Sequence, residues 1–239
     1  MASERTQPRI LINGGGFDTP WIAELARLTG KPRPRLLYLP TAAGDRDDAI
    51  NTWFERCSPL LVEARAQKMF IDSLTQTRSW EEVFQWADGI VCSGGNTLNQ
   101  QAIWRAQGID LLLRRAWKRG VVLGGASAGA LCWFECGSTD SRPQALSIVQ
   151  GLGLLSGSHC PHYDSESNRR PQYQQLIASG ELPAGYACDE GAGLLFEGRR
   201  VARVLSIRPD TQRVYRVRPW RGGVREEALT AERLASAPA

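Results

Sequence analysis

Residues Gly120 to Ala130 read Gly-Val-Val-Leu-Gly-Gly-Ala-Ser-Ala-Gly-Ala. An apolar run followed by small residues predicts a strand that leads through a tight turn into a helix. The five residues from Gly125 to Gly129 match G-x-S-x-G, the nucleophile-elbow motif, in which neighbours must be small because two backbone arms nearly touch. We therefore predict that Ser127 is a nucleophile and that the helix behind it directs free N–H groups at an oxyanion.

Upstream of this elbow, apolar strands alternate with helices. The pattern predicts strands at 9–13, 35–39, 64–71 and 87–92, helices at 21–28 and 47–58, and an amphipathic turn or helix at 80–84. A helical region follows at 98–106 and 111–118, with a break near Gly108. Glycine-rich loops lie at 14–16, 94–95 and 124–129. This alternation is typical of a doubly wound, mainly parallel α/β sheet covered by helices on both faces. Because ligands of such sheets bind beyond the carboxyl ends of the strands, we expect the three loops to converge on one crevice.

The chain after the elbow continues as part of the same domain. We expect Cys132 and Cys136 to share one face of the helix that follows Ser127. Alternating residues predict a C-terminal β-hairpin, and the residues from Pro219 onward predict a polar tail. Since no composition break marks a linker, we predict one domain over residues 1–239. Its later segments are a helix at 169–179, a strand, acidic turn and strand over 185–196, and a hairpin of 201–207 with 213–217 inside a C-terminal region that begins at about 199.

Composition excludes several functional classes. The 239 residues are 42% hydrophobic and 23% charged, as in ordinary globular proteins. A net charge of +4 gives no reason to expect nucleic acid as the main partner. No apolar run is long enough for a membrane span, and no export signal is visible, so we expect a cytoplasmic location. Six scattered cysteines are expected to be free thiols. With two histidines and no phosphate-binding glycine motif, we predict neither a metal site nor a cofactor.

A serine nucleophile needs a base that is itself oriented by a third group. The alternative for the elbow is a Gly/Ala-rich turn that only packs a helix on a sheet, so the base has to come from elsewhere in the chain. His162 is the first choice because it follows an apolar run that should end at the crevice, and His159 is the second. The candidate acids are Glu190 and Asp189, which share one turn, and Asp140 and Glu135, which lie nearer the nucleophile.

Three motifs together resemble the peptidase E family of serine peptidases, which includes aspartyl dipeptidases and, more distantly, cyanophycinases. They are Gly-Gly-Ala-Ser-Ala-Gly-Ala, the preceding Ser-Gly-Gly-Asn-Thr and the following Pro-His-Tyr. The resemblance implies a flavodoxin-like fold similar to class I glutamine amidotransferases, with Ser127 as the nucleophile and His162 as the base. It places the acid at Glu190, with Asp189 and Asp140 left open, and the oxyanion hole at the backbone N–H groups of Gly95 and Ala128.

The resemblance also implies a substrate. Family aspartyl dipeptidases hold the N-terminal aspartate of a dipeptide with an arginine downstream of the histidine, which here matches Arg170 or its neighbour Arg169. Members with this activity carry a C-terminal hairpin extension, as predicted here. The resemblance therefore implies a serine peptidase that cleaves small peptides with an N-terminal aspartate. An α/β-hydrolase-type esterase, with Asp140 as its acid, and a catalytically silent homologue remain as alternatives, and both a monomer and a homodimer stay open.

Overall fold

A computed structural model of the protein describes residues 7–71 and 77–235. This part of the chain forms two β-sheets with helices packed on them. The strands are β1 (Arg9–Asn13), β2 (Arg35–Leu39), β3 (Glu63–Ala66), β4 (Gly89–Cys92), β5 (Val122–Ala126), β6 (Phe134–Arg142), β7 (Ala145–Gln150), β8 (Leu155–Cys160), β9 (Gly185–Cys188), β10 (Ala192–Glu197), β11 (Arg200–Ser206), β12 (Val214–Trp220), β13 (Gly223–Leu229) and β14 (Glu232–Arg233). The helices are α1 (Thr19–Leu28), α2 (Asp47–Cys57), α3 (Trp80–Trp86), α4 (Thr97–Gln107), α5 (Ile109–Lys118), α6 (Ala128–Leu131) and α7 (Arg169–Ala178).

The large sheet has eight strands in the order β14-β11-β10-β1-β5-β4-β2-β3. The five strands from β1 to β3 in that order are parallel, and β10 and β11 extend the sheet as an antiparallel pair. This confirms the α/β class and the mainly parallel, helix-covered sheet. It also confirms the expectation that the helical region after β4 is interrupted near Gly108, which takes a left-handed conformation with φ of 71° between α4 and α5.

The small sheet was not anticipated from the sequence. It has six strands in the order β13-β12-β9-β8-β6-β7 and takes up most of the chain between the elbow and the C-terminus. In this sheet β8 pairs in parallel with β6 and with β9. The other pairs, β6 with β7, β9 with β12, and β12 with β13, are antiparallel. The chain crosses from this sheet to the large one between β9 and β10, so the acidic turn predicted there joins two sheets.

The predicted C-terminal hairpin is wrong in its pairing. Segment 201–207 lies in β11 of the large sheet, whereas segment 213–217 lies in β12 of the small sheet, so the two do not pair. The C-terminal hairpin in the structure is β12–β13, in which Val214 pairs with Leu229 and Trp220 with Gly223. Residues expected to be a polar tail therefore form a strand. Alternation of side chains identifies a strand but does not say which strand it pairs with.

The core is divided by the large sheet. In β1, Ile10 and Ile12 face one side and Leu11 faces the other, because successive side chains of a strand alternate. The first side packs against α3, α4, α5 and the small sheet, and the second packs against α1 and α2. A third cluster fills the space between the small sheet and α7. Within the described ranges, no helix combines the length and apolar character that a bilayer crossing requires.

Candidate active site

Ser127 lies at a strained corner between β5 and α6. Its backbone has φ of 55° and ψ of −119°, a conformation that a residue with a side chain rarely adopts. The amides of Ala130 and Leu131 both donate to the Ser127 carbonyl at 2.9 Å and hold the corner closed. Such retained strain is characteristic of functional positions, and here it presents the hydroxyl at the carboxyl end of β5, between β1 and β4 of the parallel sheet.

The small residues of the elbow allow it to contact β4 directly. A Cβ added to Gly129 would lie 2.1 Å from the Cys92 carbonyl oxygen, so no side chain fits there. The helix behind the elbow has only four residues, and β6 begins at Phe134. The expectation that Cys132 and Cys136 share a helix face is therefore wrong, since Cys136 lies in a strand. Only the first amides of this short helix, and not a long helix dipole, are available to an oxyanion.

His162 reaches the elbow from the small sheet. It follows β8, takes a left-handed φ of 54°, and donates its backbone N–H to the Gly14 carbonyl at 3.2 Å. Its Nε2 lies 2.8 Å from the Ser127 Oγ, within hydrogen-bond distance. The predicted proximity of hydroxyl and imidazole is thus present in the structure, although β8 belongs to the second sheet.

Glu190 completes the arrangement from the turn between β9 and β10. Its Oε1 lies 2.8 Å from His162 Nδ1 and accepts a second hydrogen bond, at 3.0 Å, from the Ser165 hydroxyl. Its backbone N–H donates to Asp164 Oδ1 at 2.9 Å, which fixes the turn. The hydrogen bond from His162 is the main reason that the pKa of Glu190 lies below its ordinary value. The carboxylate is therefore ionised at neutral pH and can orient the imidazole and stabilise its charged form.

The other candidates for base and acid have different partners. Asp189 is 3% exposed and accepts the Arg213 backbone N–H at 2.8 Å, and burial raises its pKa to about 6. Asp140 is paired with Arg169 at 3.2 Å. His159 is fully buried, stacks on Phe134 with ring centroids 4.9 Å apart, and has a pKa lowered to about 3 by burial. Glu135 accepts the Gly157 backbone N–H at 2.9 Å. Of the candidate acids, the structure brings Glu190 to His162.

A cavity of about 400 Å³ opens beside the Ser127 and His162 side chains. The loop at 93–95 and the elbow form one side of it, and Phe17, Tyr38 and Trp53 provide aromatic walls. Loop 14–16 also reaches this place, where a Cβ on Gly15 would lie 2.9 Å from the His162 ring. The expected convergence of the three glycine loops is confirmed. Within the described part of the chain, no backbone hydrogen bond from the amides of Gly95 and Ala128 is seen; Gly95 lines the cavity, and Ala128 directly follows Ser127.

Comparisons with known proteins identify the family. The model of peptidase family S51 matches residues 10–204. The chain belongs to peptidase family S51. Uncharacterized peptidase YgaJ of Bacillus subtilis (strain 168) is 38% identical over 213 residues, which cover 87% of this chain and 90% of that protein. This membership confirms the resemblance carried by the sequence motifs, and it places the protein among peptidases, a class of hydrolases.

Two further comparisons agree with this family. The cyanophycinase of Synechococcus elongatus is 30% identical over 124 residues, which cover 49% of this chain and 38% of that protein. The crystal structure of a peptidase from an acI-B1 Actinobacterium superposes with a TM-score of 0.72 at 18% identity, over 94% of this chain and 95% of the other. The latter likeness concerns the fold, two sheets with flanking helices.

The two arginines predicted to bind substrate do not line the cavity of this S51 chain. Arg169 is 2% exposed, donates to the Ser138 carbonyl at 3.1 Å and is ion-paired with Glu166 at 2.6 Å. Arg170 is ion-paired with Glu226 and lies over the ring of Tyr163, with its Cζ 5.4 Å from the centroid. Both guanidinium groups are thus ion-paired away from the cavity, Arg169 with Glu166 and Asp140 and Arg170 with Glu226.

The arginines that do line the cavity are Arg46 and Arg56, at the two ends of α2. Sequence reasoning missed them because charged residues on a helix usually indicate only a solvated face. One signal was present: α2 follows β2, whose carboxyl end lies at the crevice edge of a doubly wound sheet.

Proposed function

We propose that the protein is a serine peptidase that hydrolyses short peptides through an acyl-enzyme on Ser127, and that dipeptides with an N-terminal aspartate are its preferred substrates. The observation that supports this proposal is the chain of two 2.8 Å contacts, from Ser127 Oγ to His162 Nε2 and from His162 Nδ1 to Glu190 Oε1. Nucleophile, base and acid are connected in the order that acyl transfer requires.

The proposed reaction has two halves. In the first, His162 accepts the Ser127 proton as the hydroxyl oxygen attacks the scissile carbonyl carbon, and the charged imidazole is stabilised by Glu190. The oxyanion receives hydrogen bonds from the amides of Gly95 and Ala128. The C–N bond then breaks as His162 gives its proton to the leaving amine. In the second half, water activated by His162 attacks the ester carbonyl and releases the acid product and the serine.

The size of the cavity favours small substrates. A volume of about 400 Å³ lies near the lower end of the range of about 300–1,000 Å³ that is typical of small-molecule sites. The preference for an N-terminal aspartate is the expectation that comes with the peptidase E resemblance. The cavity is lined by two arginine side chains and one carboxylate, Asp48, and this excess of positive charge is compatible with an acidic ligand.

A dipeptide library tests the proposal with three proteins. The wild type is expected to hydrolyse Asp-X dipeptides better than the isosteric Asn-X series, and Ser127→Ala is expected to reduce kcat by at least about a thousandfold without unfolding the protein. Ser156→Ala is the control, because Ser156 is an exposed serine on β8. Loss of activity in the control, or undiminished turnover by Ser127→Ala, contradicts the proposal.

A catalytically silent protein with the same fold is the alternative, and a covalent probe distinguishes it. A small fluorophosphonate is expected to label Ser127 in the wild type, to leave Ser127→Ala unlabelled, and to be located at residue 127 by mass spectrometry. A wild type that neither labels nor hydrolyses any dipeptide or p-nitroanilide supports the silent alternative.

A further inference from the structure

The outer wall of the cavity is one face of α2. Ala49, Thr52, Trp53 and Arg56 line it, at the three- and four-residue spacing that places side chains on the same side of a helix. Arg46, immediately before the helix, lines it as well. The wall therefore presents a guanidinium group at each end. Between them lie small and aromatic side chains and one carboxylate, Asp48, which also lines the cavity and is paired with Arg46.

Both guanidinium groups have carboxylate partners that a ligand is able to replace. Arg56 Nη2 lies 2.7 Å from Asp18 Oδ1, and these side chains are 38% and 50% exposed. Arg46 contacts Asp48 through two hydrogen bonds of 3.0 and 2.9 Å, and these side chains are 67% and 68% exposed. Exposed ion pairs contribute little net free energy, so exchange of the partner carboxylate for a substrate carboxylate costs little.

The aromatic side chains beside the two arginines strengthen a hydrogen bond between a guanidinium group and a carboxylate. The Tyr38 and Trp53 rings stack with centroids 5.0 Å apart and remove water from one side of the cavity. Burial raises the pKa of Tyr38 to about 12, so its hydroxyl stays protonated. A guanidinium group beside such an apolar surface binds a carboxylate more tightly than it does in bulk water.

We infer that Arg56, assisted by Arg46, binds a carboxylate of the substrate and determines the preference for acidic dipeptides. This inference rests on the proposed peptidase function and assigns specificity to α2, in place of Arg169 and Arg170. The carboxylate is either the side chain of the N-terminal residue or the free C-terminus of the dipeptide, which present the same chemistry to a guanidinium fork.

The test measures kcat/KM for three substrates with matched variants. Asp-Leu carries both carboxylates, Asp-leucinamide lacks the C-terminal one, and Asn-Leu lacks the side-chain one. The variants are Arg56→Gln, Arg56→Lys and the double variant Arg46→Gln/Arg56→Gln. Arg65→Gln is the matched control, because Arg65 has a similar exposure of 40%, pairs with Glu63 at 3.0 Å, and lies outside this cavity.

Arg56→Gln is expected to lower kcat/KM for Asp-Leu by about tenfold to a hundredfold, the double variant by more, and Arg56→Lys by less, because lysine keeps the charge but loses the fork. A side-chain carboxylate is identified when Arg56→Gln penalises Asp-leucinamide but not Asn-Leu, and a C-terminal carboxylate when the reverse holds. Both results support the inference.

The inference is overturned when the ratios of kcat/KM among the three substrates are the same in Arg56→Gln as in the wild type. It is also overturned when the wild type shows no preference for a substrate with either carboxylate. In the first case the proposed function stands, because the wild type still turns over peptide and still labels at Ser127. In the second case the proposed serine peptidase chemistry stands for the same reason, but the proposed preference for an N-terminal aspartate falls with the inference. A wild type without turnover or labelling instead removes the proposed function and this inference with it.

Discussion

Gly15 lies where the loop after β1 passes the candidate base and acid, and its replacement by alanine tests how closely the site is packed. A Cβ at this position would be 2.9 Å from His162 Cε1, from His162 Nδ1 and from Glu190 Cγ. Ordinary van der Waals contact begins at 3.4 Å, so these atoms have to move by at least about 0.5 Å. Gly15 has no left-handed backbone angle, which means that the substitution acts through this contact and not through φ.

The expected loss follows from the distance between base and nucleophile. His162 Nε2 is 2.8 Å from Ser127 Oγ, and a displacement of about 0.5–1 Å away from the serine extends this beyond the usual limit of about 3.2 Å for a strong hydrogen bond. Misplacement of a reacting group by about 1 Å reduces rates by about a hundredfold, or about 2.7 kcal/mol in activation free energy. The free energy of unfolding is expected to fall by about 1–3 kcal/mol, the usual cost of overpacking.

The assay compares Gly15→Ala with Gly223→Ala. Gly223 is the control because a Cβ there meets only the Trp220 carbonyl oxygen, at 3.8 Å. Dipeptide kcat/KM and the rate of fluorophosphonate labelling at Ser127 are measured for both, with urea unfolding to report stability. Gly15→Ala is expected to lose both rates while remaining folded, and a Gly15→Ala protein with wild-type rates refutes the packing argument.

Two further predictions concern the acidic residues. Glu190→Gln keeps the shape of the side chain but removes the charge beside His162, so kcat is expected to fall by about a hundredfold. Asp140→Asn is expected to retain activity, because Asp140 is paired with Arg169 and not with His162. The opposite ranking of the two variants would make Asp140 the acid. Burial raises the pKa of Asp189 from 3.8 to about 6. Between pH 3.8 and about 6 the native state therefore binds more protons than the unfolded state. The stabilisation that the protonated carboxyl provides below pH 4 is lost as the pH rises through 6. In Asp189→Asn this loss in the free energy of unfolding, about 3 kcal/mol at most, is expected to disappear. Urea unfolding of both proteins at pH 4 and pH 7 measures it. An identical pH dependence in the wild type and the variant contradicts the effect of burial.

The sequence contained enough information to predict the large sheet and its glycine loops. Apolar runs separated by helical segments identify β1, β2, β4 and β5, because strands buried on both faces are continuously apolar. The elbow at Ser127 was recognisable because only small residues fit around it. His162 was found because the chain has only two histidines, and Glu190 came from the motif resemblance.

The small sheet was beyond prediction from the sequence for a physical reason. Its strands are half-polar, and both β6 and β8 contain an internal glycine, so their pattern shows strands without showing their partners. The chain after Cys132 starts a new sheet instead of continuing the elbow helix. This choice depends on contacts such as that between Phe134 and Phe196, whose ring centroids lie 5.8 Å apart. Contacts of this kind join residues far apart in the chain.

The cavity lining was also outside the reach of sequence reasoning. Arg56 sits on a helix with a low mean hydropathy, where a charged side chain is ordinarily a solvated one, and only the topology places that helix next to Ser127. Arg169 follows the histidine closely in sequence, yet its side chain points into a buried network around Ser138 and Glu166. Proximity along the chain was therefore a poor guide to proximity in the site.

The hydroxyl at 127 belongs to the large sheet, the imidazole at 162 follows a strand of the small one, and the carboxylate at 190 lies where the chain passes between them. Neither layer on its own carries all three groups of the proposed mechanism. Under that mechanism, turnover depends on how the two layers are docked, and we expect that a sliding of one layer over the other by less than an atomic diameter abolishes turnover while every helix and strand stays intact.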